Sequence, residues 1–348
     1  MAFLDEIGLQ HFWTHILSKI NDNKYSYLQF KHMESELPNI EDWNDITYGD
    51  GTFVVIAKDS NVAAYSQDGA IWITTTMPSV SSWCKVAYGN GKFVALSEDG
   101  KMAYSLDGIT WVANDNYGVG MIAFTDITFG EGMFVATGTF HTNDGQYNII
   151  YSSDGLEWHV MQTPIAFEAN FKAVTYANGK FVAVPNNSQI GAYSEDGINW
   201  TSMSMPGAAT YTCITYGNGK YVTLVDNNKA YAYSTDGITW SVAELFYDAP
   251  YSDITFGNGV FVTLARNNNC CGCSSDGINW TTPKLVSSDD ANRNWSSIIF
   301  ANNRFVAIAN GDMVIANSTN GTDWKTEFCE FMQNDEIVTE YIKDALGI

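Results

Sequence analysis

Short apolar runs separated by tight polar turns dominate the chain. Phe53-Val54-Val55-Ile56-Ala57 is an unbroken apolar run of strand length, and Val62-Ala63-Ala64-Tyr65-Ser66 alternates as a half-buried strand does. The turns around them carry Gly49-Asp50-Gly51 and Asp68-Gly69, residues that tolerate the positive φ of hairpin connections. A first strand is predicted from Trp43 to Tyr48, a second over Phe53–Ala57, a third over Val62–Ser66 and a fourth from near Trp72. These four form one antiparallel meander of about 40 residues.

The meander repeats. The string Tyr/Ser-x-Asp-Gly-x-x-Trp places its glycine at Gly69, Gly108, Gly155, Gly197, Gly237, Gly277 and Gly321, 39 to 47 residues apart. Its tryptophans are Trp72, Trp111, Trp158, Trp200, Trp240, Trp280 and Trp324. Upstream of each lies a block such as Ile46 to Val54, Val86 to Val94 or Ile214 to Val222. An aromatic residue precedes every block: Trp43, Trp83, Phe124, Phe171, Tyr211, Tyr251 and Trp295. Seven such units predict an all-β fold, a seven-bladed β-propeller of four-stranded antiparallel blades over residues 43–331. A stacked solenoid is the alternative, and the hairpin turns and aromatic belt favour a closed ring.

Both ends change period. Leu9, Phe12, Trp13, Ile16, Leu17 and Ile20 fall at helical spacing, as do Ile337, Val338, Tyr341, Ile342 and Leu346. Short amphipathic helices are therefore expected within 1–22, as an attachment or oligomerisation piece, and within 332–348. They either pack on each other or, through the first, join copies of the chain into a homo-oligomer. Met33 to Trp43 aligns with Ile73 to Trp83, Pro38 against Pro78. Within the linker 23–42, residues 30 to 37 thus look like an unpaired fourth strand that closes the ring onto the last repeat.

A meander puts its first and third turns at one rim and its middle loop and inter-repeat connections at the other. The first rim repeats almost unchanged, whereas the second varies, most of all from Thr137 to Asn148. Loops on a rigid scaffold carry function, so the variable rim is expected to hold any binding site. Its candidates are Tyr117, His141, Asp144, Tyr147, Phe167, Glu168, Tyr247, Asp248, Asp289, Asp290 and Arg293. Tyrosines beside carboxylates suit sugars, stacking on their apolar faces and accepting their hydroxyl protons.

Charge narrows the partners. The formal net charge is −22, with 17 basic residues against 39 acidic. Such a field repels phosphate backbones and anionic headgroups, so neither nucleic acid nor a membrane is expected as partner. No apolar run reaches membrane-spanning length. Met1 to Glu6 lacks the pattern of a signal peptide, so synthesis in the cytoplasm is expected. The six cysteines form no disulfide framework, and Cys270-Cys271-Gly272-Cys273 lacks a second pair at zinc spacing, so they read as packing thiols. No cofactor or metal motif is present.

Ser66-Gln67-Asp68-Gly69-Ala70-Ile71-Trp72 and its copies resemble the Asp-box, or BNR, repeat of sialidase-like propellers. The resemblance implies that Asp68, Asp107, Asp154, Asp196, Asp236 and Asp276 bind turn amides and that the tryptophans pack between sheets. Asn320 departs from the pattern, so the seventh copy is expected to be the irregular one. Sialidases use three central arginines; here only Arg266, Arg293 and Arg304 exist, and Arg304 falls in a turn of the invariant rim. Sialidase activity is not expected. Leu4-Asp5-Glu6-Ile7-Gly8-Leu9 with His11-Phe12-Trp13 resembles the opening of phage and prophage tail proteins. That implies a virion location, with phage tail proteins and a surface glycan or protein receptor as partners. The expectation is a non-enzymatic structural or receptor-binding protein; a glycoside hydrolase on the same rim and a purely structural tail subunit are its alternatives.

Overall fold

The computed structural model describes residues 30–34, 36–115, 120–142, 145–161, 170–226, 229–245, 249–269, 271–283, 292–325 and 327–331. The chain divides into two compact units, one of Ser35–Thr326, the other of Met1–Glu34 with Glu327–Ile348. In the second unit, β1 (Phe30–Glu34) and β27 (Glu327–Phe331) pair antiparallel, Phe30 opposite Phe331 and Glu34 opposite Glu327. The helices expected at either end lie outside the described residues.

Strands β2 to β26 build an all-β propeller of four-stranded antiparallel blades. The first repeat contributes β2 (Glu36–Gly49), β3 (Thr52–Ala57), β4 (Ser60–Ser66) and β5 (Ile73–Ser81). The second contributes β6 (Trp83–Gly89), β7 (Lys92–Ser97), β8 (Met102–Ser105) and β9 (Trp111–Ala113). The third has β10 (Gly120–Gly130), β11 (Met133–Thr142), β12 (Gly145–Ser152) and β13 (His159–Val160). The fourth has β14 (Phe171–Ala177), β15 (Lys180–Pro185), β16 (Ser188–Ser194) and β17 (Thr201–Ala209). The fifth has β18 (Tyr211–Gly217), β19 (Lys220–Val225), β20 (Ala230–Ser234) and β21 (Ser241–Glu244). The sixth keeps β22 (Tyr251–Gly257), β23 (Val260–Ala265) and β24 (Cys271–Ser274), and the seventh β25 (Trp295–Ala301) and β26 (Arg304–Ser318). The first strand of each repeat lies beside that of the next, and β25 returns to β2.

Counted by continuous hydrogen bonding, these strands form six sheets rather than the seven expected. The cause is the double use of β2. Its residues Trp43–Gly49 pair with β3, whereas Glu36, Glu41 and Asp42 face Val314, Asp312 and Asn310 of β26. The first and last repeats are thereby joined into one six-stranded sheet, β25-β26-β2-β3-β4-β5. Glu36 and Glu41 stand to Val314 and Asp312 as Thr76 and Ser81 stand to Val62 and Ser60 in the first repeat. Leu37 is buried at this junction like Met77 at its counterpart. The segment that pairs with the last repeat is thus 36–42, while 30–34 pairs with β27 instead. Fourth strands are not uniform: among the described residues the sixth repeat has there the bridge Cys273–Thr281 and the Cys271 N to Pro283 O bond, and the seventh has the bridge Asn317–Lys325, beyond which residues 36–42 of β2 take the outer position.

Packing follows the repeat. In six of the repeats the corner tryptophan lies against the aromatic near the start of the second strand, as Trp72 on Phe53 at 6.3 Å and Trp200 on Phe181 at 6.4 Å between centroids. Between blades, the ring of Tyr88 lies on Gly49 so closely that a Cβ there would come within 2.0 Å of it. Glycine is required by that contact alone. The same arrangement recurs at Gly89 with Phe129 and Gly257 with Phe300.

Candidate functional site: two rims and an axis

One rim is a set of closed corners. In each repeat a buried serine, Ser66 and its copies, accepts the N–H of the corner glycine at 2.8–2.9 Å. The same hydroxyl donates its proton to the following aspartate. That aspartate's Oδ1 accepts the two N–H groups beyond the glycine at 2.7–3.0 Å. The N–H bonds favour the carboxylate form. At Asp236, the Thr239 N–H above all holds the carboxyl down at about 2. At Asp196, partial burial works against ionisation but the Asn199 contacts prevail, again giving about 2. Asn320 keeps the geometry without the charge, its Oδ1 accepting from Thr322 and Asp323 at 3.0 and 2.8 Å. The seventh corner is therefore regular, and what sets that repeat apart is its outer strand, which residues 36–42 of β2 supply.

The corner rim is also stitched between repeats. Asn90, at positive φ in the first turn of the second repeat, donates to Gly132 O and Ser153 O of the third. Asn218 does the same to Gly259 O and Ser275 O. These polar groups are spent on the fold.

The opposite rim differs from repeat to repeat. In the third, β11 runs ten residues where β3, β7, β15, β19 and β23 have six. Its register begins with Phe134 opposite Ser152 near the Asp154 corner and ends with Thr142 opposite Gly145, far from it. β10 follows with Gly120 opposite His141. The segment expected as a swollen loop is thus a three-stranded tongue. Elsewhere this rim is knitted by charge: Lys58 donates to Glu98 at 2.5 Å, Ser82 to Asp59 and Ser81 to Asp99.

Of the residues expected to bind a ligand, three can be placed. His141 holds a strand position in the tongue. Tyr147 lies opposite Phe140, half-buried against the cores of the third and fourth repeats. Arg293 is 6% exposed, and its Nε donates to Asp312 Oδ2 at 2.8 Å. That pair sits beside the β2–β26 ladder, because Asp312 is the partner of Glu41, and its geometry is that of a structural ion pair. Tyr117, Asp144, Phe167, Glu168, Tyr247, Asp248, Asp289 and Asp290 lie outside the described residues. The other arginines are also dispersed, Arg266 at 3.8 Å from Asp226 and Arg304 beside the Gly69 corner. Cys271 and Cys273 are buried in β24, with Cys271 Sγ donating to Pro283 O at 3.4 Å.

A third region was not singled out from the sequence. The residue two places after each landmark aromatic turns toward the axis, and these include Asp45, Lys85, Asp126, Cys213, Asp253 and Ser297. Lys85 Nζ lies 3.4 Å from Asp45 Oδ1 and 3.9 Å from Asp126 Oδ1, with 32% of its side chain still exposed. Three carboxylates also reach the next repeat or across the junction: Asp45 accepts from Val86 N, Asp126 from Val174 N and Asp253 from Ile298 N, at 2.8–2.9 Å. Burial raises the Asp126 carboxyl to about 6 despite the pull of Lys85. Burial also raises Asp253. Lys85 is itself raised: burial opposes its charge, but Asp45, Asp126 and Asp253 together outweigh that. A break in chemical likeness at one register position of an otherwise regular repeat was the signal for this cluster.

No family model and no curated protein matches the chain. Solved structures do. A virginiamycin B lyase from Staphylococcus aureus, a catalytically inactive variant with quinupristin, aligns over 83% of this chain and 99% of its own, with TM-score 0.65 and 14% identity. YCF48 bound to D1 peptide aligns over 82% and 95%, with TM-score 0.62 and 16% identity. The WD40 β-propeller domain of Doa1 aligns over 83% and 97%, with TM-score 0.61 and 12% identity. At such identities the likeness is one of fold, and the fold these structures share with the chain is the β-propeller.

Proposed function

We propose that this chain is a non-enzymatic binding protein of the phage-tail type, an Asp-box propeller whose seven repeats present the variable rim to a cell-surface glycan or protein. The observation that carries the reading is the contrast between rims. One has its polar groups consumed by corner and inter-repeat hydrogen bonds, while the other bears the tongue of the third repeat. The closed cycle of first strands favours seven blades, two of them sharing β2. A propeller of similar fold holds a bound peptide, which makes a protein receptor as reasonable as a sugar. The acidic field favours a neutral or basic target over an anionic one.

The test is binding to a glycan array and to host cells, with the chain and with a variant whose residues 140–146 are replaced by a short turn. Retained binding by the chain, its loss in the variant and an unchanged melting temperature are expected. Release of reducing sugar would instead make the rim hydrolytic. Capture of tail proteins alone would make the chain a structural subunit.

A further inference from the structure

The first, sixth and seventh repeats meet at the axis through Asp45, Asp253 and Ser297. Ser297 Oγ lies 3.1 Å from Asp45 Oδ1 and 2.9 Å from Asp253 Oδ2. A serine hydroxyl has one proton to donate. With both carboxyls ionised, one of these contacts would set lone pair against lone pair. The corners show the ordinary solution, one carboxylate per hydroxyl: Ser66 donates to Asp68 and accepts from Gly69. Ser297 faces two carboxyls, so a second proton is needed for both contacts to be hydrogen bonds.

The surroundings say where that proton sits. Asp45 has Lys85 Nζ at 3.4 Å as well as the Val86 N–H. Asp253 makes no ion pair among the described residues; its Oδ1 accepts from Ile254 N at 2.8 Å and its Oδ2 from Ile298 N at 2.9 Å. We infer that Asp253 is the axial proton carrier, donating to Ser297 Oγ, which in turn donates to Asp45, so that a single proton fastens three repeats at the junction of the ring.

The other groups around it fit this assignment. From β18 comes Cys213, a thiol pushed by burial to about 12. From β6 come Lys85 and the buried thiol of Cys84, from β10 Asp126 and from β14 Lys172, whose charge reaches Cys84. The field of Lys85 also reaches Asp253, but it is shared with Asp45 and Asp126. A carboxyl raised in the folded state binds its proton more tightly there than in the unfolded chain. Its contribution to stability is present at low pH and is lost as pH rises through the folded value.

Two measurements decide the matter. In protein labelled with 13C at the aspartate carboxyls, the resonance that vanishes in Asp253→Asn is expected to titrate above the ordinary value of about 4. Thermal melts from about pH 5 to about pH 9 are expected to fall more steeply for the wild type than for Asp253→Asn, whose amide cannot lose a proton. The amide forfeits one backbone contact, which offsets its curve by a constant but does not tilt it. Parallel melting curves, or a resonance titrating at or below about 4, would overturn the assignment.

Discussion

Aspartates at the corners and aspartates at the axis accept backbone N–H groups at the same distances, 2.7–3.0 Å at the corners and 2.8–2.9 Å at the axis. Their carboxyls are nevertheless pushed in opposite directions, down to about 2 at Asp196 and Asp236 and up to about 6 at Asp126. Hydrogen bonds do not explain the difference, since both sets have them. Two things do. Corner carboxylates stand at an exposed rim, each with its own serine, whereas the axial carboxyls lie close together in the interior and share Lys85. Repetition therefore yields seven satisfied corners around the rim, but at the axis it brings like charges together.

The sharpest way to break this contrast is to remove the shared cation. Lys85→Met leaves Asp45 and Asp126 without their counter-charge, a change that typically costs about 3–5 kcal/mol. Chemical denaturation near neutral pH should show a loss of that order. Near pH 5 the loss should be smaller, because Asp126 can then take up a proton. A loss independent of pH would mean that Lys85 matters only for packing.

Next in size is the effect of pH on the wild type. The Asp126 carboxyl moves from 3.8 to about 6 on folding. A raised carboxylate contributes stability below its unfolded value, and that contribution is lost between about pH 4 and about pH 6, on the order of 3 kcal/mol. The corners act in the other direction: their lowered carboxylates stabilise above about pH 4 and fail as pH falls toward about 2. Melting temperature should therefore peak near pH 4 to 5 as far as these groups decide it, and Asp126→Asn should flatten only the alkaline side of the peak.

At the corners the expected effect is smaller and local. Ser152→Ala leaves the buried N–H of Gly155 without the acceptor it has at 2.8 Å. About 1–2 kcal/mol should be lost. Because Ser152 does not titrate, its removal should lower the melting curve evenly above about pH 5, unlike Lys85→Met.

What could be read from the chain follows the same division. Corners were legible because the serine, glycine and tryptophan recur seven times, and the aspartate six, at fixed offsets. The pairing of the N-terminal segment was legible in outline, since Met33–Trp43 aligns with Ile73–Trp83, but its register was not. Backbone bonds from Glu36, Glu41 and Asp42 to β26 leave no mark on side-chain pattern, and those bonds reduce seven repeats to six sheets. The Arg293–Asp312 bond was not legible, because nothing in the local pattern of either residue marks the other as its partner. The axis was missed because Asp45, Lys85, Asp126, Cys213, Asp253 and Ser297 share a register position but not one chemistry, and the contact of Ser297 with Asp45 needs ring closure.

The seventh corner offers the finest test, because there the repeat itself has removed the charge. Asn320 accepts from Thr322 N and Asp323 N as an aspartate would, and its Nδ2 donates to Asp323 Oδ2 at 2.8 Å. Asn320→Asp would strengthen the two N–H bonds by charge. It would also turn the Nδ2 contact into repulsion between two carboxylates at an exposed site, where such terms are screened. The two effects are of similar size, so stability near neutral pH should change by no more than about 0.5 kcal/mol. The pH dependence should change more clearly: like the other six corners, this one should then weaken as pH falls below about 4, which the asparagine corner cannot do. If the substitution proved strongly destabilising at neutral pH, the Asp323 contact rather than the turn amides would be what holds this corner.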